Sequence, residues 1–397
     1  MNILIVNQHT LNYGDDIAGV ALIQQLLERF NDIKKIDIIY NTQGSLEYPD
    51  SRVHDRDDIS LKNIGMLQIF IFIFFSLFHL KIVFNKSLRK LKKCVEEAEY
   101  IFVSPCGANL GIYQDWRFLL KLVLIVGLGG KPIFHNNTIG YSNNRIFNIL
   151  ENKVLKKSVI YVREERSYKL LIDKGYSPIR SVDTGFLFQD ESKKDNNLEN
   201  YVTFVPTQLN NWHPDFRNLE VDLNSLLLEN VIDPLIRLAD KKKLNIVILK
   251  HMHSSGEESE LINFFRKEIE SRTLSDIDVL VPEIENCYEY SAVIKNSSFV
   301  LSMRYHGVVM AIKNGVPFLS LGYENKMQEV CNYSGFENNN IFIKRITDKS
   351  IDFEELLEKA PMQYEKNSER LDSLKRIASF ALDNIEFSRN GYIKNGK

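Results

Sequence analysis

Residues 297–326 read SSFVLSMRYHGVVMAIKNGVPFLSLGYENK, and the fold turns on how this stretch is read. The apolar run Phe299 to Met303 stops abruptly at Arg304-Tyr305-His306-Gly307. A helical segment follows to Asn314, Gly315 can close it, and Pro317 opens another apolar run to Leu321. The order is strand, helix, strand. In a parallel sheet the polar residues at the carboxyl end of the first strand face the crevice where ligands bind. A helix starting near His306 turns free amides and a positive dipole end toward the same place. Arg304, His306 and those amides are therefore expected to form an anion site, although an Arg-x-His at a strand end is also what a solvated loop can show.

The run SxRxHG followed by a helix, GxP and GYENK resembles the polysaccharide pyruvyltransferase family, whose members move the enolpyruvyl part of phosphoenolpyruvate onto two sugar hydroxyls as a ketal. The resemblance implies an α/β protein of two doubly wound, Rossmann-like domains facing across a cleft, the GT-B-like architecture. It implies phosphoenolpyruvate as co-substrate, no cofactor, no obligatory metal, and a lipid-linked oligosaccharide or polysaccharide acceptor in capsule or exopolysaccharide biosynthesis. It also assigns His306 and Arg304 to catalysis, and Arg163, Arg304, Gly307, Lys326 and His251 to the donor. Asn12, Asp15 and Asp183 are assigned to the acceptor.

Bulk properties agree with a soluble enzyme of this size. A chain of 397 residues suggests two domains at ~100–200 residues each. The net charge of -2 provides no field for nucleic acid, which is not an expected partner. Cys94, Cys106, Cys287 and Cys331 are widely spaced with no CxxC pair, and the chain opens directly on an apolar strand. A reducing, cytoplasmic location is expected.

At the start, Asn2 to Val6 reads as a strand and Ile17 to Phe30 as a helix, with a polar loop between them. The loop lacks GxGxxG and the P-loop lysine, so no dinucleotide or Walker-type site is indicated. Asn12, Gly14 and Asp15 match the family's NxGD element, while Asp15 or Asp16 serves equally well as a helix cap. Glu99 to Ser104 is a strand running into Pro105-Cys106-Gly107, with Cys106 where the family commonly has glycine. Leu119 to Leu128 is a buried helix, Lys131 to His135 a strand, and Val159 to Val162 another that ends at Arg163. The guanidinium fork grips carboxylate or phosphate in two places, which makes Arg163 a candidate donor clamp. Asp183 stands where the family has an aspartate, as a loop organiser or as a site residue.

From Ile64 to Leu80 seventeen positions carry no charge. That is short of the ~20 apolar residues a bilayer-spanning helix needs. Lys81, Lys86, Arg89, Lys90, Lys92 and Lys93 then interleave with Leu80, Ile82, Val83, Phe84, Leu88 and Leu91. Segment 64–93 is expected to lie on the inner face of the cell membrane as a peripheral, anionic-surface contact, the alternative being a core helix followed by a solvated one.

The polar run Gln189 to Asn200 is the expected boundary. The domains are expected at 1–188 (acceptor) and 201–350 (donor), with a helical tail, 351–397, packing back on the first. His251 and His253 could pair on a metal, but no third ligand stands out. The competing function is a nucleotide-sugar glycosyltransferase of the same architecture. Many retaining members carry two glutamates eight apart ahead of a GxP, where this chain has Ser302 and Met310. A non-catalytic glycan-binding protein is the third reading.

Overall fold

The computed structural model describes residues 1–59, 71, 85–190, 198–210, 213, 216, 222–253, 256–273, 277–347, 352–363 and 368–385. It divides into two compact units, one of residues 1–11, 15–189 and 375–397, the other of 12–14 and 190–374. The division at Gln189 falls in the polar run. The expected tail separates: the helix Phe353–Gln363 belongs to the second unit, and the chain from Lys375 onward to the first.

In the first unit seven parallel strands lie in the order β3-β2-β1-β4-β5-β6-β7. They are β1 Asn2–Gln8, β2 Lys35–Tyr40, β3 Val53–Asp55, β4 Tyr100–Val103, β5 Pro132–Asn137, β6 Val159–Val162 and β7 Ile179–Arg180. The central strands are apolar at successive positions because helices cover both faces of such a sheet. Leu4, Val6, Val103, Phe134 and Val162 are buried with Phe118, Leu119, Leu122 and Val123 of the helix Trp116–Gly127. Two strands are irregular near their carboxyl ends. The register of β1 shifts between Val6 and Gln8, and that of β5 between Phe134 and Asn137. Asn7 and Asn136 sit there at φ 62° and 57°, a left-handed conformation that asparagine tolerates better than most residues. Such bulges re-aim the side chains that follow.

The second unit repeats the plan with six parallel strands in the order β10-β9-β8-β11-β12-β13. They are β8 Tyr201–Val205, β9 Asn245–Ile248, β10 Val279–Leu280, β11 Phe299–Ser302, β12 Phe318–Gly322 and β13 Asn340–Phe342. Val202, Phe204, Ile246, Ile248, Leu301 and Leu319 form its core. In both orders the winding reverses once, between β1 and β4 and between β8 and β11. Open parallel sheets bind ligands at the carboxyl side of that point.

Of segment 64–93, the end from Lys86 onward is described. The helix Lys86–Glu97 turns Leu88, Leu91, Cys94 and Val95 into the first unit's core. Its bases meet carboxylates, Lys90 with Asp58 at 2.8 Å, Lys92 with Glu96 at 3.8 Å and Lys93 with Glu97 at 3.6 Å. Leu88 and Leu91 of that pattern thus face protein. The rest of segment 64–93, apart from Ile71 and Asn85, lies outside the described residues. Among the described residues no helix is long and apolar enough to cross a membrane.

Candidate functional site

The second unit's crevice is lined by the segments that leave β8, β9 and β11. Arg304 follows β11 in extended conformation, and the helix Tyr305–Asn314 starts directly after it. The hydroxyl of Ser302 accepts the Arg304 amide at 3.0 Å and donates to the Arg304 carbonyl at 2.8 Å. A Cβ at position 307 would lie 2.3 Å from that hydroxyl, so Gly307 is required for the turn itself. At the far end Gly315, at φ 70°, closes the helix in the left-handed conformation.

Arg304 does not project freely. Its Nη2 donates to Glu258 Oε1 at 2.7 Å, and its Nε to the Pro206 carbonyl at 3.4 Å. The other Glu258 oxygen accepts the amides of His251 and Met252 at 3.1 and 2.6 Å. Glu258 is 3% exposed and Arg304 17%. One buried carboxylate thereby ties the segment after β9 to the one after β11 through charge-assisted bonds.

Two imidazoles flank this pair. His251 and His306 lie nearly parallel with ring centroids 6.5 Å apart. The Nδ1 of His251 is 3.0 Å from the Tyr290 hydroxyl. Burial drives His251 well below the usual imidazole range, and the positive charge of Arg304 and the other nearby bases, Lys326 among them, pushes the same way. His251 is therefore neutral at physiological pH. Lys326 pairs with Glu324 at 2.8 Å and lies 5.8 Å from the Tyr323 ring centre.

The chain's first loop joins this unit. Asn12 forms an antiparallel bridge with Met252, and the Tyr13 amide donates to the His251 carbonyl at 3.1 Å. The Tyr13 ring stacks on Tyr290 at 5.4 Å and tilts against His253 at 4.5 Å, while its hydroxyl donates to the Ile284 carbonyl. Gly14 lies directly against His306.

Arg163, Asp183 and Asp15 belong instead to the first unit. Arg163 Nη1 donates to Asp183 Oδ2 at 2.6 Å and Nε to Thr138 Oγ1 at 3.1 Å, with the two charges 3% and 0% exposed. Asp183 also caps the turn Thr184–Leu187 through the Gly185 amide at 2.7 Å. The side chains assigned to donor and to acceptor are thus partners in one buried ion pair. Cys106 is buried with its thiol pushed up to about 11, which makes it a poor nucleophile.

Five of the assigned residues, Asn12, His251, Arg304, His306 and Gly307, come together in the second unit, and Lys326 acts electrostatically on His251. Glu258, Tyr13 and Tyr290 were not singled out from sequence. Glu258 could have been suspected only from the acidic pair that opens a helix just after Lys250-His251-Met252-His253. A second polar cluster, in the first unit, was also missed. There the Asn41 amide nitrogen donates to Asp115 Oδ2 at 2.6 Å and faces His9 Nε2 at 3.3 Å. The buried Lys121 donates to Asn41 Oδ1 at 3.0 Å and to the Tyr40 carbonyl at 2.6 Å, and burial lowers it to about 7. Among the described residues no group of three or more His, Cys, Asp or Glu could hold a metal ion.

Comparison with known proteins agrees with this fold. No curated protein matches the chain. Among solved structures, the UDP-GlcNAc 2-epimerase of Neisseria meningitidis bound to UDP-GlcNAc superposes with TM-score 0.59 at 13% identity, covering 97% of this chain and 99% of that one. The Methanocaldococcus jannaschii UDP-GlcNAc 2-epimerase gives 0.59 at 11% identity over 98% and 100%. The S. aureus MnaA–UDP complex gives 0.56 at 12% identity over 98% and 96%. At such identities the likeness shows the fold, which is GT-B-like, as expected. The family model for polysaccharide pyruvyl transferase matches residues 12–325, a span that runs from the Asn12 loop through β11 and Arg304 to the GYEN turn, and the chain belongs to that family.

Proposed function

We propose that the protein transfers pyruvate from phosphoenolpyruvate onto two hydroxyls of one sugar, closing a pyruvate ketal in the synthesis of a capsule or exopolysaccharide. The observation that carries the reading is the placement of Arg304, at the amino end of a helix and beside His306, at the winding reversal of the second sheet. Phosphoenolpyruvate brings a phosphate and a carboxylate, which Arg304, Lys326 and the helix amides suit. His306 delivers a proton to the methylene carbon, leaving a cationic carbon that bears phosphate and carboxylate. A sugar hydroxyl adds there and loses its proton, phosphate leaves with its bonding pair, and the second hydroxyl adds, loses its proton and closes the ring. His251, held neutral, adds no positive charge beside the Arg304–Glu258 pair.

Phosphorus NMR of phosphoenolpyruvate with the enzyme and a panel of lipid-linked acceptors tests this. Phosphate should appear only when a competent acceptor is present. Turnover of a nucleotide sugar with no loss of phosphoenolpyruvate would favour the glycosyltransferase reading instead.

A further inference from the structure

Among the described residues eleven large apolar side chains are exposed, and six crowd onto two neighbouring pieces of the first unit: Ile112, Tyr113 and Trp116 on one, Tyr141, Ile146 and Ile149 on the other. The pieces are tied together. Leu110 and Ile139 form a parallel bridge, and the Gly140 amide donates to the Leu110 carbonyl at 2.7 Å. Gly111, at φ 138°, comes so close that a Cβ on it would strike the Gly140 backbone at 2.5 Å. Trp116 meets Phe147 edge-on at 5.2 Å. A contiguous exposed apolar patch of this kind marks an interaction surface.

The charges beside it say what kind. Arg117 and Arg145 are exposed. Residues 107–157 hold two carboxylates, and both turn inward. Asp115 accepts from Asn41 and from the amides of Arg117 and Phe118, and Glu151, 2% exposed, pairs with Lys174 at 3.5 Å. Tryptophan and tyrosine beside isoleucine, with Arg117 and Arg145 next to them and no outward carboxylate on these two pieces, match an anionic bilayer surface, where rings settle at headgroup level and cations meet phosphates. We propose that this patch docks the protein on an anionic membrane surface.

The chain has two tryptophans, so in the full-length Trp212→Phe protein Trp116 alone reports. With vesicles of phosphatidylcholine carrying about 30% phosphatidylglycerol, its emission should move to the blue by about 10 nm, and the protein should float with the vesicles until salt is raised. Ile146→Gln with Ile149→Gln should lower the floated fraction by roughly 10-fold without altering the circular dichroism spectrum. Emission that stays in place, or undiminished flotation of the double variant, overturns the proposal. So does a sedimentation mass that halves in the double variant, which would make a second copy the occupant.

Discussion

Gly14 lies so close to the imidazole of His306 that a Cβ on residue 14 would come within 2.1 Å of Nδ1. A side chain as small as alanine must therefore displace the ring that the proposed chemistry uses. Gly14→Ala should reduce turnover by more than ~10²-fold, the scale for losing a positioned proton donor. Gly256 has nothing within 4 Å of its added Cβ, and Gly256→Ala is the matched control, expected to keep its activity. Equal rates for the two variants in the phosphate-release assay would show that His306 does not need its present position.

Arg304→Ala removes the guanidinium that pairs with the buried Glu258. Phosphoenolpyruvate binding should weaken by roughly 2–4 kcal/mol, the range for truncating a buried charged partner. Arg304→Lys should recover part of this, because it restores charge without the planar fork. Calorimetry that finds wild-type affinity in Arg304→Ala would remove Arg304 from the donor site.

For His306 the separation of turnover from binding is diagnostic. Loss of the proton donor in His306→Gln should lower kcat by ~10²–10⁴-fold while phosphoenolpyruvate affinity stays within a few-fold. A variant that instead raises KM at near-normal kcat would make His306 a binding contact.

The Arg163–Asp183 pair predicts a non-additive pattern. Either Arg163→Met or Asp183→Leu strands a buried charge and should cost about 3–5 kcal/mol of stability, whereas the double variant should lose much less. Urea unfolding of the three proteins checks the pattern. Donor affinity in the double variant then decides whether Arg163 also grips phosphoenolpyruvate, since its partner no longer complicates the comparison.

Burial lowers His135 to about 4 and Lys121 to about 7 in the native state. Between pH 6.5 and 4 the unfolded chain binds a proton at His135 that the folded one does not, so stability is lost as pH falls through that window. Lys121 acts with the same sign between its usual 10.5 and about 7, where stability rises with pH. Each slope is limited to about 1.4 kcal/mol per pH unit. His135→Gln should flatten the acid window alone and Lys121→Met the alkaline one. Unchanged slopes in urea unfolding at stepped pH would contradict the burial of these groups.

Elements carried by local pattern were legible in the chain. Phe299 to Met303, the helix to Asn314, Gly315 and the run after Pro317 stand within a residue or so of β11, its helix and β12, because apolar periodicity and glycine conformation act over a few residues. The short edge strands β3, β7 and β13 were not, since two or three residues carry no period. Contacts across long separations were invisible too. Glu258 meets Arg304 across 46 positions, and Tyr13 meets Tyr290 from the opposite end of the chain. Segment 86–93 was ambiguous for a different reason: a basic amphipathic helix looks the same whether its apolar stripe meets lipid or, as with Leu88 and Leu91, the protein's own core.

The small cluster around Asn41 also decides a proton. The Asp115 carboxylate can only accept, so the end of the Asn41 amide that faces it is the nitrogen and the end that faces Lys121 is the oxygen. The nitrogen then faces His9 Nε2, and that ring nitrogen must offer its lone pair. Burial lowers the pKa of His9, so the ring is neutral and its one hydrogen sits on Nδ1. At the carboxyl edge of β1, His9 is a single-tautomer hydrogen-bond donor whose basic nitrogen is already occupied, fit to hold an acceptor oxygen in place and unfit to take a proton from it.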